Sequence, residues 1–469
     1  MRADRRWLAL VALFLVSLPA VTTRIYSSDE IQYFSYLRSL WFDGDLSFEN
    51  EYRYFYDRGI ARAEGFYETF LERQTGTGRR INFATIGCAM LWAPFYAAGD
   101  AVARISGAPA DGFSQPYVAA VAYGSAVYGF LALVIAILAA RRLQLDGFGA
   151  AVAIWLGTPL LFYMYVAPVF SHACSAFAVA LFIYLWLGVR DTWTPRGTAA
   201  LAAAGALMAM VREQDAFFAL GAALDFGLWA FRARASVKAK IRSVAGAAVA
   251  FAMVYAPQAL AYMVLNGHLG PHSSVGRKMH WMSPHALQVL FSPEHGFFFW
   301  TPLALIALAG LLFLLPDGGS HETVRGSTVA SRASTAASGV SRKPDAAISL
   351  LVMVLLQVYV SGSVESWTVA GGFGQRRFVA LTAAMAIGYA ALRAVAGRKR
   401  WVLTAAAILA VYWNLALSAE FATGLMDRQK LEPRENAYHA FVTLPAQAPS
   451  LLYRYFFDRA SFYQQRGAP

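Results

Sequence analysis

The stretch Arg24-Ile-Tyr-Ser-Ser-Asp-Glu-Ile-Gln-Tyr33 follows directly on an uncharged apolar run, Trp7 to Thr23, itself preceded by Arg2, Arg5 and Arg6. That junction decides the fold. A basic start and a cleavable site would mark a signal peptide, but no small-x-small cleavage site follows, so the run reads as a retained first membrane helix. Behind it, residues 24–80 hold ten of the chain's 28 carboxylates, eight arginines and fourteen aromatics. Such a segment belongs in water or at an interface, as a long first outer loop.

The rest of the chain agrees. Of 469 residues 58% are hydrophobic and only 14% charged, against roughly a quarter charged in soluble proteins. Lipid must therefore be the solvent for most of the chain, which predicts an all-α polytopic membrane protein. Apolar runs occur at 7–23, 117–140, 149–166, 172–189, 197–211, 216–231, 244–265, 297–316, 346–361, 378–396 and 401–420. Residues 81–104, with Gly87, Pro94, Gly99 and Asp100, form a twelfth run that either spans or is re-entrant, giving about 11–12 helices.

A net charge of +12 would suggest nucleic acid on a soluble protein. Here the bases gather between apolar runs, as the positive-inside rule requires, and no nucleic-acid partner is expected. Arg141-Arg142, the 231–242 segment and Gly397-Arg-Lys-Arg400 should lie inside. Residues 24–80, 166–172, 212–215, 266–296, 362–377 and a short tail from 421 to 469 should lie outside. A transmembrane domain over 1–420 results, with 317–345, rich in Ser, Ala, Thr and Gly, as a flexible inner linker. Cys88 and Cys174 both sit in apolar runs, which supports neither a disulfide framework nor a thiolate metal site.

Four polar constellations face the outer side. Ser27-Ser-Asp-Glu30 has capping-box spacing, followed by Ile31, Phe34, Leu37 and Trp41 on one face of an interfacial helix. Asp29 reads either as a helix-dipole partner or as a general base or metal ligand, since a carboxylate at a helix N-terminus stays ionised. Residues 266–296 contain five of the eight histidines, at spacings matching no familiar metal pattern; within them Glu294-His295 precedes the aromatic Phe297-Phe-Phe-Trp300. Glu365 to Arg377 carries a glycine-rich approach and ends in Arg376-Arg377, whose guanidinium forks suit phosphate oxygens. Val211-Arg-Glu-Gln-Asp215 interrupts two apolar runs, and Arg212 could join a headgroup site. His172, Tyr163 and Tyr165 lie at the same expected face.

This layout resembles the membrane-embedded glycosyltransferases of the GT-C fold, in particular bacterial relatives of protein O-mannosyltransferases and of the lipid A aminoarabinose transferase. Ser28-Asp-Glu-Ile-Gln-Tyr33, Asp43-Gly-Asp-Leu46, Phe291-Ser-Pro-Glu-His-Gly296 before Trp300-Thr-Pro302, and Gly372-Phe-Gly-Gln-Arg376 carry the resemblance. The chain departs from the family at Arg79-Arg-Ile-Asn-Phe83, where many relatives have a Pro-Pro run. The resemblance implies transfer of a sugar from a polyprenyl-phosphate donor to a glycan, lipid or protein acceptor at the outer face of a bacterial inner membrane. It implies Asp29 as the acceptor-activating carboxylate with Glu30 its neighbour, and Arg376 or Arg377 on the donor phosphate, with Arg212 beside them. Tyr33, Tyr52, Tyr54, Glu294 and His295 are the expected sugar or acceptor contacts. A divalent metal at Asp29 is compatible but not required. Other lipid-phosphate enzymes and flippases of lipid-linked sugars are the competing classes; the latter should show internal repeats and mid-membrane acids, for which Asp100, Glu213 and Asp225 are the candidates.

Overall fold

The computed structural model describes residues 5–61, 63–232, 236–316, 343–369, 371–459 and 461. Most of the expected linker, 317–342, lies outside these. Among the described residues the chain is all-α, with only isolated bridges at Gln74–Arg80 and Met279–Val364. The first half runs α1 (Arg5–Ser17), α2 (Ser28–Arg38), α3 (Glu49–Asp57), α4 (Gly87–Ser106), α5 (Gln115–Arg142), α6 (Phe148–Gly157), α7 (Leu160–Tyr165), α8 (His172–Val189), α9 (Pro195–Val211), α10 (Ala219–Arg232) and α11 (Val237–Asn266). Four short helices follow, α12 (Ser273–Arg277), α13 (Ala286–Phe291), α14 (Phe297–Trp300) and α15 (Pro302–Ala309). The chain closes with α16 (Pro344–Ser363), α17 (Thr382–Val395), α18 (Arg400–Thr423), α19 (Pro433–Tyr438) and α20 (Leu444–Phe457).

Six helical stretches are long and apolar enough to cross a membrane: α5, α8, α11, α16, Arg376–Val395 and Gly397–Thr423. The protein is therefore an all-α membrane protein. Burial separates centre from rim. The apolar window of Arg376–Val395 is 78% buried, and that of α11 only 22%, so α17 is the axis of the bundle and α11 faces lipid. Close approach at the axis depends on paired glycines: a Cβ on Gly388 would overlap the Ala307 carbonyl, and one on Gly310 would overlap Gly388 itself.

Two runs expected as single helices are broken. Residues 149–166 divide into α6 and α7 at Thr158-Pro159, because proline has no N–H to continue the ladder. The freed carbonyls of Leu156 and Thr158 are taken by Asn414 Nδ2 at 2.8 and 3.0 Å. Residues 297–316 break at Thr301-Pro302, proline standing at the first turn of α15. Both breaks turn a short segment toward the Asp29 end of the bundle.

The twelfth run forms α4, antiparallel to the first half of α5. Asp100 accepts from Tyr117 Oη at 2.5 Å, Trp92 Nε1 donates to Ser125 at 2.8 Å, and Tyr128 Oη donates to the Leu91 carbonyl at 2.8 Å. These pairings place the start of α4 beside the middle of α5, away from its Arg141-Arg142 end.

The basic loops collect at that end. Arg6 pairs with Asp146 (3.1 Å), Arg141 lies over Trp7 (5.1 Å), and Arg232 pairs with Asp345 (2.7 Å). At the other end, the loop expected to lay one helix on the membrane surface instead folds into a small aromatic-cored cap. Ile31, Phe34 and Leu37 are buried as the pattern predicts, but so are Gln32, Ser35 and Tyr36 on the other side of α2, while Trp41 is exposed. The reason is that α3, α4 and the turn after α2 enclose it. The tail folds back on α1: Tyr455 Oη donates to the Ala20 carbonyl (2.5 Å) and Arg459 Nη1 to that of Val21 (2.8 Å).

Candidate functional site

At the Asp29 end, four chain segments converge. The N-terminus of α2 supplies Asp29, the turn before α17 supplies Arg376 and Arg377, the start of α8 supplies His172, and the end of α9 supplies Arg212. Asp29 Oδ2 stands 3.0 Å from Arg376 Nη2, and the Asp29 side chain is 44% exposed while that of Arg376 is 20% exposed. The pair is thus buried on the arginine side and open on the carboxylate side.

Local structure fixes Asp29. Ser27 caps α2, accepting from the Glu30 N–H at 3.3 Å, while Glu30 Oε2 accepts from the N–H groups of Tyr26 and Ser27 at 3.0 Å each. Asp29, one residue before Glu30, projects from the first turn where the helix dipole favours its negative charge. Glu30 itself is fully buried with Oε1 unpartnered. Burial pushes its carboxyl up to about 8, partly offset by its backbone hydrogen bonds. The two acids quoted together in the sequence therefore occupy different environments, Asp29 facing the site and Glu30 locking the helix start.

The arginine turn is braced on several sides. His295 Nε2 lies 2.9 Å from the Gly372 carbonyl, and its ring stacks on Trp300 at 4.7 Å. Tyr163 Oη accepts from the Phe373 N–H at 2.9 Å and lies 3.2 Å from the Phe373 carbonyl. Gln357 Nε2 donates to the Arg377 carbonyl at 2.8 Å, and Gln375 Nε2 to that of Trp367 at 3.0 Å. Val369 has φ +48° and His295 φ +62°, a left-handed conformation costing roughly 1–3 kcal/mol for a side-chain-bearing residue. Gly371 and Gly374 meet the same demand without that cost.

Three guanidiniums result in one place. Arg376 lies over Phe170 (5.3 Å), and Arg377 donates to the Ser366 carbonyl (3.0 Å) and Oγ (3.2 Å). Arg212 hydrogen-bonds His172 Nδ1, and the Gln214 side-chain amide lies against the Arg212 guanidinium. Arg212, Arg376 and Asp29 each act electrostatically on Arg377, and all three arginines act on His172. Among the described residues, Asp29 is the one carboxylate ion-paired to any of the three. Asp215, whose Oδ2 accepts from Ser175 at 2.6 Å, is the next acid; burial lifts it to about 6, while Arg212 draws it down. The cluster concentrates positive charge with an open carboxylate at its edge.

A scan against protein-family models and a search of curated proteins both match nothing in this chain. The site must speak through its own chemistry.

The structure places the sequence-derived residues unevenly. Tyr33 joins the site, its hydroxyl beside Ser171 and within range of Arg212 and Asp29. Glu294 is exposed at the rim, whereas His295 is buried, held near 4 by desolvation and so neutral at pH 7. Tyr52 is enclosed among Phe48, Phe66 and Phe70 with its hydroxyl on the Ile81 carbonyl (3.0 Å). Tyr54 stacks on Phe113 at 3.8 Å with Arg58 over its ring, also at 3.8 Å. These two tyrosines build the core and flank of the cap and present no free face to the arginines. Nor do the five histidines come together: among the described residues no group of three or more His, Cys, Asp or Glu is placed to hold a metal ion. With Asp29 on Arg376 and Glu30 turned into the helix cap, the donor set does not fit a protein-built cation site. His172 and Tyr163, which the sequence placed at the outer face only as lesser candidates, join the site, and Ser171, beside Tyr33, is one that sequence reasoning missed.

Proposed function

We propose that this protein is a GT-C-type glycosyltransferase that moves a sugar from a polyprenyl-phosphate donor to an acceptor hydroxyl. The observation that carries the reading is Asp29 held at 3.0 Å from Arg376 on the edge of a three-arginine cluster. The arginines receive the phosphate, bidentate where their forks allow. The sugar C1–O bond breaks with its electrons going to a phosphate oxygen already stabilised by positive charge, so no strong general acid is needed. The acceptor oxygen bonds to C1 as its proton passes to Asp29, which has the exposure to reach it. Tyr33 borders the approach.

The wider reading completes the picture: about 11–12 spans, with the Asp29 end on the outer face of a bacterial inner membrane. Two of the three acids that could serve a flippase are otherwise engaged, while Glu213 has no ion-pair or side-chain hydrogen-bond partner among the described residues. Asp225 is bound by Arg190 (2.9 Å) and Trp186 (2.9 Å), and Asp100 by Arg104 (2.9 Å) and Tyr117. That favours chemistry at the cluster over transport.

The test incubates purified protein with a panel of labelled polyprenyl-phosphate sugars and follows consumption of each. One donor class should be consumed by wild type and spared by Asp29→Asn. No consumption of any donor, with wild type indistinguishable from Asp29→Asn, would sink the reading.

A further inference from the structure

The tail runs as one helical stretch from Pro433 to Phe457, α19 and α20 joined by a π-helical turn at His439–Thr443. At 1.5 Å per residue it is about 37 Å long. Its two faces differ. On one, Asn436, Ala440, Leu444, Leu451 and Tyr455 recur at helical spacing and meet the bundle. Asn436 Nδ2 donates to Glu420 Oε2 at 2.6 Å, Ala440 and Leu444 pack on Ala416, and Tyr455 reaches the Ala20 carbonyl.

The opposite face is apolar and uncovered. Tyr438, Phe441, Val442, Leu452, Tyr453 and Phe456 are each half or more exposed. They follow the three-and-four spacing of one helix side, with Pro445 and Pro449 filling the gap. Between Glu435 and Asp458 the one residue charged at pH 7 is Arg454.

Depth indicates what covers this stripe. Pro445 has no N–H to donate within the π-helical turn, and Tyr412 Oη bonds the Ala440 carbonyl instead, at 2.5 Å. The Tyr412 and Phe441 rings lie 5.2 Å apart. Tyr412 stands eleven residues before Thr423, the end of α18. That is roughly 16 Å back along a helix that crosses about 30 Å of hydrocarbon. On the same flank of α18, Ile408 and Leu415 are exposed apolar residues too. Phe441 therefore joins the stripe to the lipid-facing side of a membrane helix. An apolar surface continuous with that side, at that depth, lies in lipid and not in water.

We propose that the tail helix is an interfacial anchor, lying obliquely in the leaflet at the Asp29 end of the bundle with acyl chains against the Tyr438–Phe456 stripe. Its partner is the bilayer itself. Aromatic rings at the water boundary and an uncharged line between them suit that position. The far end is hydrogen-bonded to Ala20 and Val21, nine and eight residues ahead of Asp29. The anchor thus ties the segment leading to Asp29 to the height of the membrane, whatever the arginine cluster binds.

The experiment reads immersion directly. Val442→Cys, Leu452→Cys and Phe456→Cys are made singly in the full-length protein, with Asp57→Cys on the exposed side of α3 as the water-facing control. Cys88 and Cys174 are buried, so the unaltered protein gives the labelling background. Each variant is spin-labelled in phosphatidylethanolamine–phosphatidylglycerol nanodiscs. Power saturation then compares collisions with oxygen, which concentrates in hydrocarbon, and with a water-soluble nickel chelate. The oxygen-to-nickel ratio should be several-fold higher at the three stripe positions than at Asp57. Three positions guard against a single label that disturbs packing. Ratios equal to that at Asp57 would place the stripe in water and overturn the proposal. Shielding from both reagents would give the stripe to a second copy of the chain and overturn it as well.

Discussion

Asp29 and Arg376, from the second and the seventeenth helical regions, meet at 3.0 Å with the carboxylate half in water and the guanidinium largely enclosed. Each explains the other. A buried arginine among two more needs a negative partner, and a carboxylate at a helix start, where the helix dipole favours negative charge, stands beside it. Because Asp29 is also reachable, it is open to the base role proposed for it.

Replacing Asp29 by Asn should lower transfer by about 10²–10⁴-fold, the range for loss of a general base. Donor binding should hold or tighten, since the arginines lose their competing anion. Single-turnover rates and donor titration on the same preparation separate the two effects.

Arg376→Ala should weaken donor binding by more than tenfold and leave acceptor affinity unchanged. Arg376→Lys should recover only part of the loss, because an ammonium cannot make the two-pronged contact of a guanidinium. Equal loss for donor and acceptor in titrations would count against a phosphate role.

His295 acts through the turn it braces. His295→Ala should destabilise the protein by about 1–3 kcal/mol, from the lost Gly372 hydrogen bond and Trp300 stack. His295→Asn should be milder, since asparagine tolerates the φ of +62° better than alanine. Because burial depresses this imidazole to about 4 from 6.5, its stabilising share is present above pH 6.5 and lost as pH falls through 4. The gap in thermal midpoint between wild type and each variant should widen as pH rises from 4 to 6.5 and stay constant above it.

Glu30 predicts the opposite slope. Its carboxyl rises from 4.5 to about 8 in the fold, so the folded state holds a proton that the unfolded chain releases. Stability from this group is full below pH 4.5 and falls away as pH climbs to 8. Glu30→Gln, which keeps an oxygen for the Tyr26 and Ser27 amides, should flatten that decline. An unchanged slope in the variant would show that Glu30 is already ionised in the native state.

Gly388→Ala tests the axis of the bundle. With the Ala307 carbonyl in the space a methyl would need, the variant should lose about 1–3 kcal/mol by overpacking. Tryptophan fluorescence during thermal unfolding in detergent is a direct measure.

The sequence by itself determined the class of structure and the cap at Ser27. A chain this apolar has no alternative to helices in lipid, and a capping box is a local device whose partners are three residues apart. The basic loops likewise showed which ends group together. Tertiary structure decided the rest. That Asp29 faces the arginines while Glu30 does not depends on which side of α2 the bundle covers, and α2 proved to be covered on nearly all sides. Tyr52 and Tyr54 read as binding aromatics because composition cannot tell a ring that lines a site from one that fills a core. His172 and Tyr163 reached the cluster through a helix break whose consequence depends on Asn414, a residue more than 240 positions away that satisfies the opened carbonyls. Spacing along the chain encodes contacts within a turn or two of helix; contacts between distant helices follow from the packing of all of them at once.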